Sequence, residues 1–268
     1  MEPTHSTQRV GLALAAGGAK GVAYIPFLAR LEKMGVELSV LAGSSVGSGL
    51  GGLYAAGCSP ATIAEIIKGF RPQRIGRFFS INWRGPGLIS SESVRRFLTQ
   101  HLPVDRFAET RVPFVTVATD YWRREQVVFR EGPLVDAITA SAAVPGVFEP
   151  ARVNDRILVD GGITNTLPYD LISGDCDVVI ALDVSNRTEN PDRSDQPRST
   201  EAILNTFRIL TDQQTEVKVA HDPPDLHFRV KLPFVEMLDF HKYEEIFDKV
   251  GSEVDRFEQA VEQLLAEQ

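Results

Sequence analysis

Gly43-Ser44-Ser45-Val46-Gly47 is a G-x-S-x-G sequence. That spacing suits a serine nucleophile on a tight turn between a strand and a helix. Glycines two before and two after the serine remove Cβ atoms where chain segments crowd. The hydroxyl is then presented above the sheet end, near a positive helix N-terminus. Alone the pentapeptide is weak, because small-residue turns produce it by chance. Its context strengthens it, since a strand precedes it and a helix follows.

Two further segments carry chemistry-bearing groups. Ala15-Ala-Gly-Gly-Ala-Lys-Gly21 also lies between a strand and a helix. Gly17 and Gly18 leave backbone N–H groups uncovered at a helix N-terminus, where they can bind an anion. Lys20 is followed by Gly21, so the Walker pattern fails, and the G-x-G-x-x-G dinucleotide pattern is absent too. An oxyanion hole remains, against the plainer reading of a turn that needs φ > 0. Leu158-Val-Asp160-Gly161-Gly162 places an aspartate at the end of an apolar strand, where it can face a site or merely cap a turn. Asp120 and Asp183 end apolar strands as well, so position does not select among the three.

The elements that must hold these residues alternate. Val10–Leu14 is a continuous apolar run, as expected of a strand buried on both faces. Tyr24, Phe27, Leu28 and Leu31 predict an amphipathic helix over Lys20–Met34, with Pro26 a kink candidate and Gly35 a C-cap candidate. Strands are expected at Leu38–Ala42, Phe114–Ala118, Gln126–Phe129, Ile157–Val159, Val178–Val184 and Leu226–Leu232. Helices are expected from Val46 through Ala56, from Ser59-Pro60 onward, from Ser90 or Ser91 to His101, and over Pro133–Ala142, Thr200–His221 and Lys242–Ala266. Ser185–Ser199 reads as a surface loop. The pattern argues for an α/β layered fold in one domain spanning 1–268, with an acidic helical tail from about residue 200.

Composition narrows the function classes. The 268 residues carry 28 Lys and Arg against 36 Asp and Glu, a net charge of −8. That balance argues against nucleic acid as a partner, because a phosphate backbone needs a basic face. Cys58 and Cys176 are too few for a disulfide framework, and no Cys/His cluster has zinc spacing. No apolar run approaches the length of a membrane span. Val10–Ala16 faintly resembles a signal h-region but runs into a Gly-rich turn, so it reads as a buried strand and the expected location is the cytoplasm.

The order Gly-rich turn, G-x-S-x-G, D-G-G resembles the patatin-like phospholipase family of lipid acyl hydrolases. Gly11-Leu-Ala-Leu-Ala-Ala-Gly-Gly-Ala-Lys-Gly21 is similar to its opening strand and G-G-G-x-[KR]-G turn, with Ala16 in place of the first glycine. Leu41–Gly47 resembles its nucleophile turn. Ala118-Thr-Asp120 with Val127-Val-Phe129, Ala140–Phe148 and Leu158–Asn165 resemble further blocks, so the likeness covers about residues 9–184. It implies a three-layer α/β/α fold with a central, largely parallel sheet. It also implies a dyad without histidine, with Ser45 as nucleophile and Asp160 as general base. Gly17, Gly18 and Ala19 would supply oxyanion N–H groups; Lys20 would orient the turn or meet a head group. Gly21, Gly43, Gly47, Gly161 and Gly162 would support the motifs. The substrate would be a lipid or simple ester, with no metal or other cofactor required.

Two other readings are open at this point. One is an α/β-hydrolase triad of Ser45, Asp160 or Asp183, and His221, His227 or His241. The other is a catalytically silent lipid-binding module. The stretch between Glu65 and Glu92 has no acidic residue and holds Lys68, Arg71, Arg74, Arg77 and Arg84 among Phe70, Phe78, Phe79 and Trp83. It reads either as a solvated loop or as a flap over 66–91 in brief contact with a lipid surface.

Overall fold

The computed structural model describes residues 8–69, 89–184, 196–197, 199–232, 235 and 239–267. The expected flap lies mostly outside the described residues, as does most of the Ser185–Ser199 loop.

Among the described residues eight strands form one mixed sheet: β1 Val10–Leu14, β2 Leu38–Ser44, β3 Phe114–Asp120, β4 Glu125–Phe129, β5 Ala151–Val153, β6 Arg156–Asp160, β7 Val178–Asp183 and β8 Leu226–Arg229. The order is β5-β6-β3-β2-β1-β7-β8, and β4 also pairs with β3. The run β3-β2-β1-β7-β8 is parallel, whereas β4, β5 and β6 pair antiparallel. The helices are α1 Tyr24–Lys33, α2 Val46–Ala55, α3 Pro60–Gly69, α4 Ser91–His101, α5 Leu134–Ser141, α6 Ser199–His221, α7 Tyr243–Lys249 and α8 Gly251–Ala266.

Both faces of the central strands are buried, because parallel strands need a helical layer on each side. On one face Leu12, Leu14 and Leu41 pack with Phe27, Leu28, Leu31 and Phe257. Phe27, Phe228 and Phe257 make edge and tilted ring contacts 5.1–5.9 Å apart, joining α1, β8 and α8. On the other face the small side chains Ala13, Val40, Ala42, Val115 and Ala181 meet Leu167, Tyr169 and Ile172.

The expected elements appear with shifted ends. The helix expected over Lys20–Met34 begins as a 3-10 helix, Gly18–Ala23, and becomes α-helical at Tyr24. Pro26 therefore sits in the first turn of α1, where proline's fixed φ suits the helix. Gly35 follows α1 at φ 73°, the left-handed conformation a helix stop favours in glycine. Ser59 Oγ accepts the Thr62 N–H and Ser90 Oγ accepts the Ser93 N–H, so Ser90 rather than Ser91 is the cap of α4. The helix expected over Lys242–Ala266 is broken at Val250. None of the described helices is long and apolar enough to cross a membrane.

Three strands share the two edges of β3. β4 pairs with residues 116–120, β2 with 114–117 and β6 with 118–120. β4 overlaps both of the others, so it must own one edge. β2 and β6 do not overlap, and they follow one another along the opposite edge. Ser44 pairs with Val117, and Asp160 pairs with the next residue, Ala118.

Candidate active site

Ser45 follows β2 directly and precedes α2. Its backbone takes φ 54°, ψ −119°, a region almost confined to glycine. The flanking glycines explain how the turn closes. A Cβ on Gly43 would lie 2.4 Å from the Gly47 carbonyl oxygen, and one on Gly47 would lie 2.3 Å from that of Leu14. The Ser45 N–H donates to Ser141 Oγ at 3.0 Å, which ties the turn to the end of α5. Thr116 Oγ1 braces it from β3, 2.9 Å from the Gly43 carbonyl oxygen and 2.6 Å from Ser48 Oγ.

Asp160 ends β6 and is 1% exposed; Ser45 is 5% exposed. Ser45 Oγ donates to Asp160 Oδ2 at 2.5 Å, and the Gly162 N–H donates to Oδ1 at 2.7 Å. Thr119 Oγ1 holds the Asp160 carbonyl at 2.9 Å. Gly161 lets the chain turn against β3, since a Cβ there would lie 2.2 Å from the Val117 carbonyl oxygen. Burial pushes the Asp160 carboxyl up to about 6, against the opposing pull of the Ser45 and Gly162 hydrogen bonds.

The other strand-end aspartates are occupied elsewhere. Asp120 Oδ1 accepts the Trp122 and Arg123 N–H groups, and its Oδ2 lies 3.5 Å from Arg156 Nε. Asp183 Oδ2 lies 3.1 Å from His227 Nε2 and 3.7 Å from Arg229 Nε.

The Gly-rich turn meets this pair from β1. Gly17 packs against Val184, and Gly18 has φ 59°. Gly18 and Ala19 head the 3-10 helix, whose first N–H groups have no partner within it. Tyr24 Oη donates to the Ala15 carbonyl at 2.8 Å, and the Ala16 N–H donates to that of Thr166 at 2.8 Å. A Cβ on Gly21 would lie 2.4 Å from Val46 Cγ1, so this glycine lets the turn approach the start of α2. Ala16 fits where the family motif has glycine, with its Cβ directed towards Gly162.

Ser45 stands where two cavities meet. One, about 950 Å³ including its mouth, is apolar and bordered by Gly49, Leu53, Ile66, Phe97, Val144 and Phe148. The other, about 520 Å³ including its mouth, mixes apolar walls such as Val184 and Phe207 with charged side chains. It is bordered by Gly17, Gly18, Lys20 and Asp160, and by Arg208, Thr211 and Asp212 of α6. Burial pushes the Asp212 carboxyl up to about 6, while the nearby cations Arg208 and Lys20 oppose the shift. No described histidine borders either cavity.

A family model described as patatin-like phospholipase matches residues 12–172. The chain belongs to this family. A Mycobacterium tuberculosis relative described as an uncharacterized NTE family protein is 33% identical over 216 residues, covering 80% of this chain and 60% of that one. Lysophospholipase NTE1 of Candida glabrata is 26% identical, covering 92% of this chain and 16% of that one. The chain therefore spans under two thirds of the length of these relatives. Among solved structures, VipD from Legionella pneumophila superposes with a TM-score of 0.47 at 13% identity, over 93% of this chain and 67% of that one.

Ser45, Asp160 and the Gly-rich turn, singled out from sequence, thus come together. Ser141, Thr119, Arg208 and Asp212 were not singled out. Ser141 lies inside the Ala140–Phe148 block that resembles the family, which is a signal for the block but not for the residue. Arg208 and Asp212 lie on a helix whose sequence carries no motif.

Proposed function

We propose that the chain is a serine hydrolase of lipid carboxylic esters that works through Ser45 and Asp160 without a histidine. The observation that carries this reading is the direct 2.5 Å contact between Ser45 Oγ and a buried carboxylate. Ser45 Oγ attacks the ester carbonyl carbon while Asp160 Oδ2 takes its proton. The carbonyl oxygen becomes an oxyanion facing the N–H groups of Gly17, Gly18 and Ala19. As the carbon–oxygen bond breaks, Asp160 returns the proton to the departing alkoxide, which leaves as the alcohol. Asp160 then takes a proton from water. The resulting hydroxide attacks the acyl carbon, and the proton passes back to Ser45 Oγ as the carboxylic acid departs.

The acyl chain occupies the larger apolar cavity and the alcohol portion the second one, which charged side chains border. Lys20, Arg208 and Asp212 beside the second cavity suit an alcohol portion that carries polar or charged groups. Lys20 is almost fully buried and serves position and charge, with no proton to transfer.

The test is hydrolysis of phospholipid, lysophospholipid and simple esters by the natural protein, Ser45→Ala and Asp160→Asn. Both variants are expected to lose at least about a thousandfold in kcat/KM. An organophosphonate probe is expected to label Ser45. Full activity in Ser45→Ala, or label on another residue, overturns the reading.

A further inference from the structure

The β3–β4 hairpin ends in Tyr121-Trp122-Arg123-Arg124, and both aromatics face solvent: Tyr121 is 52% exposed and Trp122 75%. Isolated exposed apolar side chains are ordinary on a protein surface. This pair differs in being adjacent, rigidly mounted and placed at the edge of the sheet that carries the dyad.

The mounting is built from buried groups. Asp120, 2% exposed, accepts the N–H groups of Trp122 and Arg123 through one carboxylate oxygen. Its backbone carbonyl accepts the Arg124 N–H at 2.8 Å, and the Tyr121 N–H donates to the Ile157 carbonyl at 2.9 Å. Arg124 closes the turn at φ 59°. The two rings meet edge to face, 5.0 Å apart at 84°.

The register gives the location. Asp160 pairs with Ala118, so the dyad sits at that level of β3. β3 continues two residues beyond that level, about 7 Å at strand rise, to Asp120, and the turn that follows carries Trp122. β6 and β5 rise beside the hairpin, because Leu158 pairs with Asp120 and Arg152 pairs with Ile157. Exposed Arg152 therefore stands at the level of Tyr121. Near the tip the four residues Arg123, Arg124, Arg152 and Arg156 outnumber the three carboxylates Asp120, Glu125 and Asp155, with Arg123 and Arg156 paired to Glu125 and Arg156 also to Asp120. The local balance is opposite to the net charge of −8 for the whole chain.

Tryptophan and tyrosine combine an apolar body with a polar edge and settle at the boundary between hydrocarbon and headgroup. Arginine beside them meets lipid phosphates. We propose that the Tyr121–Arg124 tip docks on a phospholipid bilayer containing anionic lipid, with the dyad edge of the sheet turned towards it. The value of that orientation rests on the hydrolase reading above; the docking itself does not.

The test uses Trp122 as its own reporter. The chain has two tryptophans, so Trp83→Phe leaves Trp122 alone. Ser45→Ala is added to keep the lipid intact. With vesicles of phosphatidylcholine mixed with phosphatidylglycerol, Trp122 emission is expected to shift to the blue and to be quenched by brominated acyl chains. Changing Tyr121 and Trp122 together to Ala, in the same Ser45→Ala background, is expected to weaken vesicle sedimentation by roughly tenfold or more. Restored Ser45 should leave turnover of a soluble short-chain ester unchanged by the double alanine change. Absence of sedimentation, an unshifted Trp122, equal binding by the double variant, or a loss of soluble-ester turnover overturns the docking. If soluble ester is not hydrolysed even by the natural protein, the hydrolase reading fails and the vesicle result still decides the docking.

Discussion

Val117 and Ala118 are adjacent in β3, and between them they hold the two halves of the dyad: Val117 pairs with Ser44 and Ala118 with Asp160. β2 stops at that point and β6, coming from the opposite direction, takes over the same edge. Ser45 leaves from the end of one strand and Asp160 arrives at the end of the other, one rung apart. The 2.5 Å contact follows from that relay.

The backbone at Ser45 gives a prediction that separates chemistry from strain. Replacement by Ala or by Gly removes the hydroxyl, and both are expected to abolish hydrolysis. Only Gly relaxes the φ 54°, ψ −119° backbone. Ser45→Gly is therefore expected to be more stable than Ser45→Ala by about 1–2 kcal/mol, read from urea unfolding.

The raised Asp160 carboxyl predicts the acid limb of activity. Asp160 accepts a proton only when ionised, so kcat/KM is expected to fall as pH drops through about 6. A limb near 4 in the pH profile would show that the carboxyl is not held up by burial.

The same shift has a stability consequence of definite sign. The folded state holds this proton more tightly than the unfolded chain, whose carboxyl titrates near 3.8. The contribution is most favourable below about pH 4, and it is lost as pH rises through about 6. The difference corresponds to about 3 kcal/mol. Asp160→Asn keeps an acceptor for Gly162 and gains a donor towards Ser45. It is expected to be more stable than the natural protein at pH 8 by up to about that amount, with the advantage gone near pH 4. Urea unfolding at both pH values decides it.

Gly49 tests the acyl cavity. It borders that cavity, and a Cβ there would meet nothing within 4 Å. Gly49→Phe fits the backbone and fills the space. Short-chain esters are expected to be hydrolysed nearly as before, and long-chain esters roughly tenfold or more slowly, because each excluded methylene forfeits its burial. Equal losses for both chain lengths would place the acyl group elsewhere.

Ser44 is a liability beside the nucleophile. Its hydroxyl is fully buried and has no hydrogen-bond partner in the structure. Ser44→Ala is expected to preserve hydrolysis and to stabilise the fold by about 1 kcal/mol, measured as a shift in the urea midpoint at constant slope.

The sequence shows most of the sheet because its central strands are uniformly apolar, a pattern that follows from burial on both faces. It hides β5, where Ala151, Arg152 and Val153 are too few to show a period and become a strand only by pairing with β6. It also hides the change from 3-10 to α-helix at Tyr24, which no residue pattern marks. Ser45 is legible because its turn needs glycines at fixed offsets. Asp160 is not legible by position, since Asp120 and Asp183 end strands in the same way. The resemblance singles it out, and the register on β3 shows the physical reason. Arg208 and Asp212 reach the second cavity through the path of α6, which no local pattern encodes.

The relay along one edge of β3 also fixes when the protein can become reactive. Ser45 and Asp160 are 115 residues apart in the chain. A growing chain exposes its serine long before the aspartate has been made, and even a finished chain lacks the pair until β6 has docked on β3. The pair is thus a property of the assembled sheet, and neither half of the chain can form it alone.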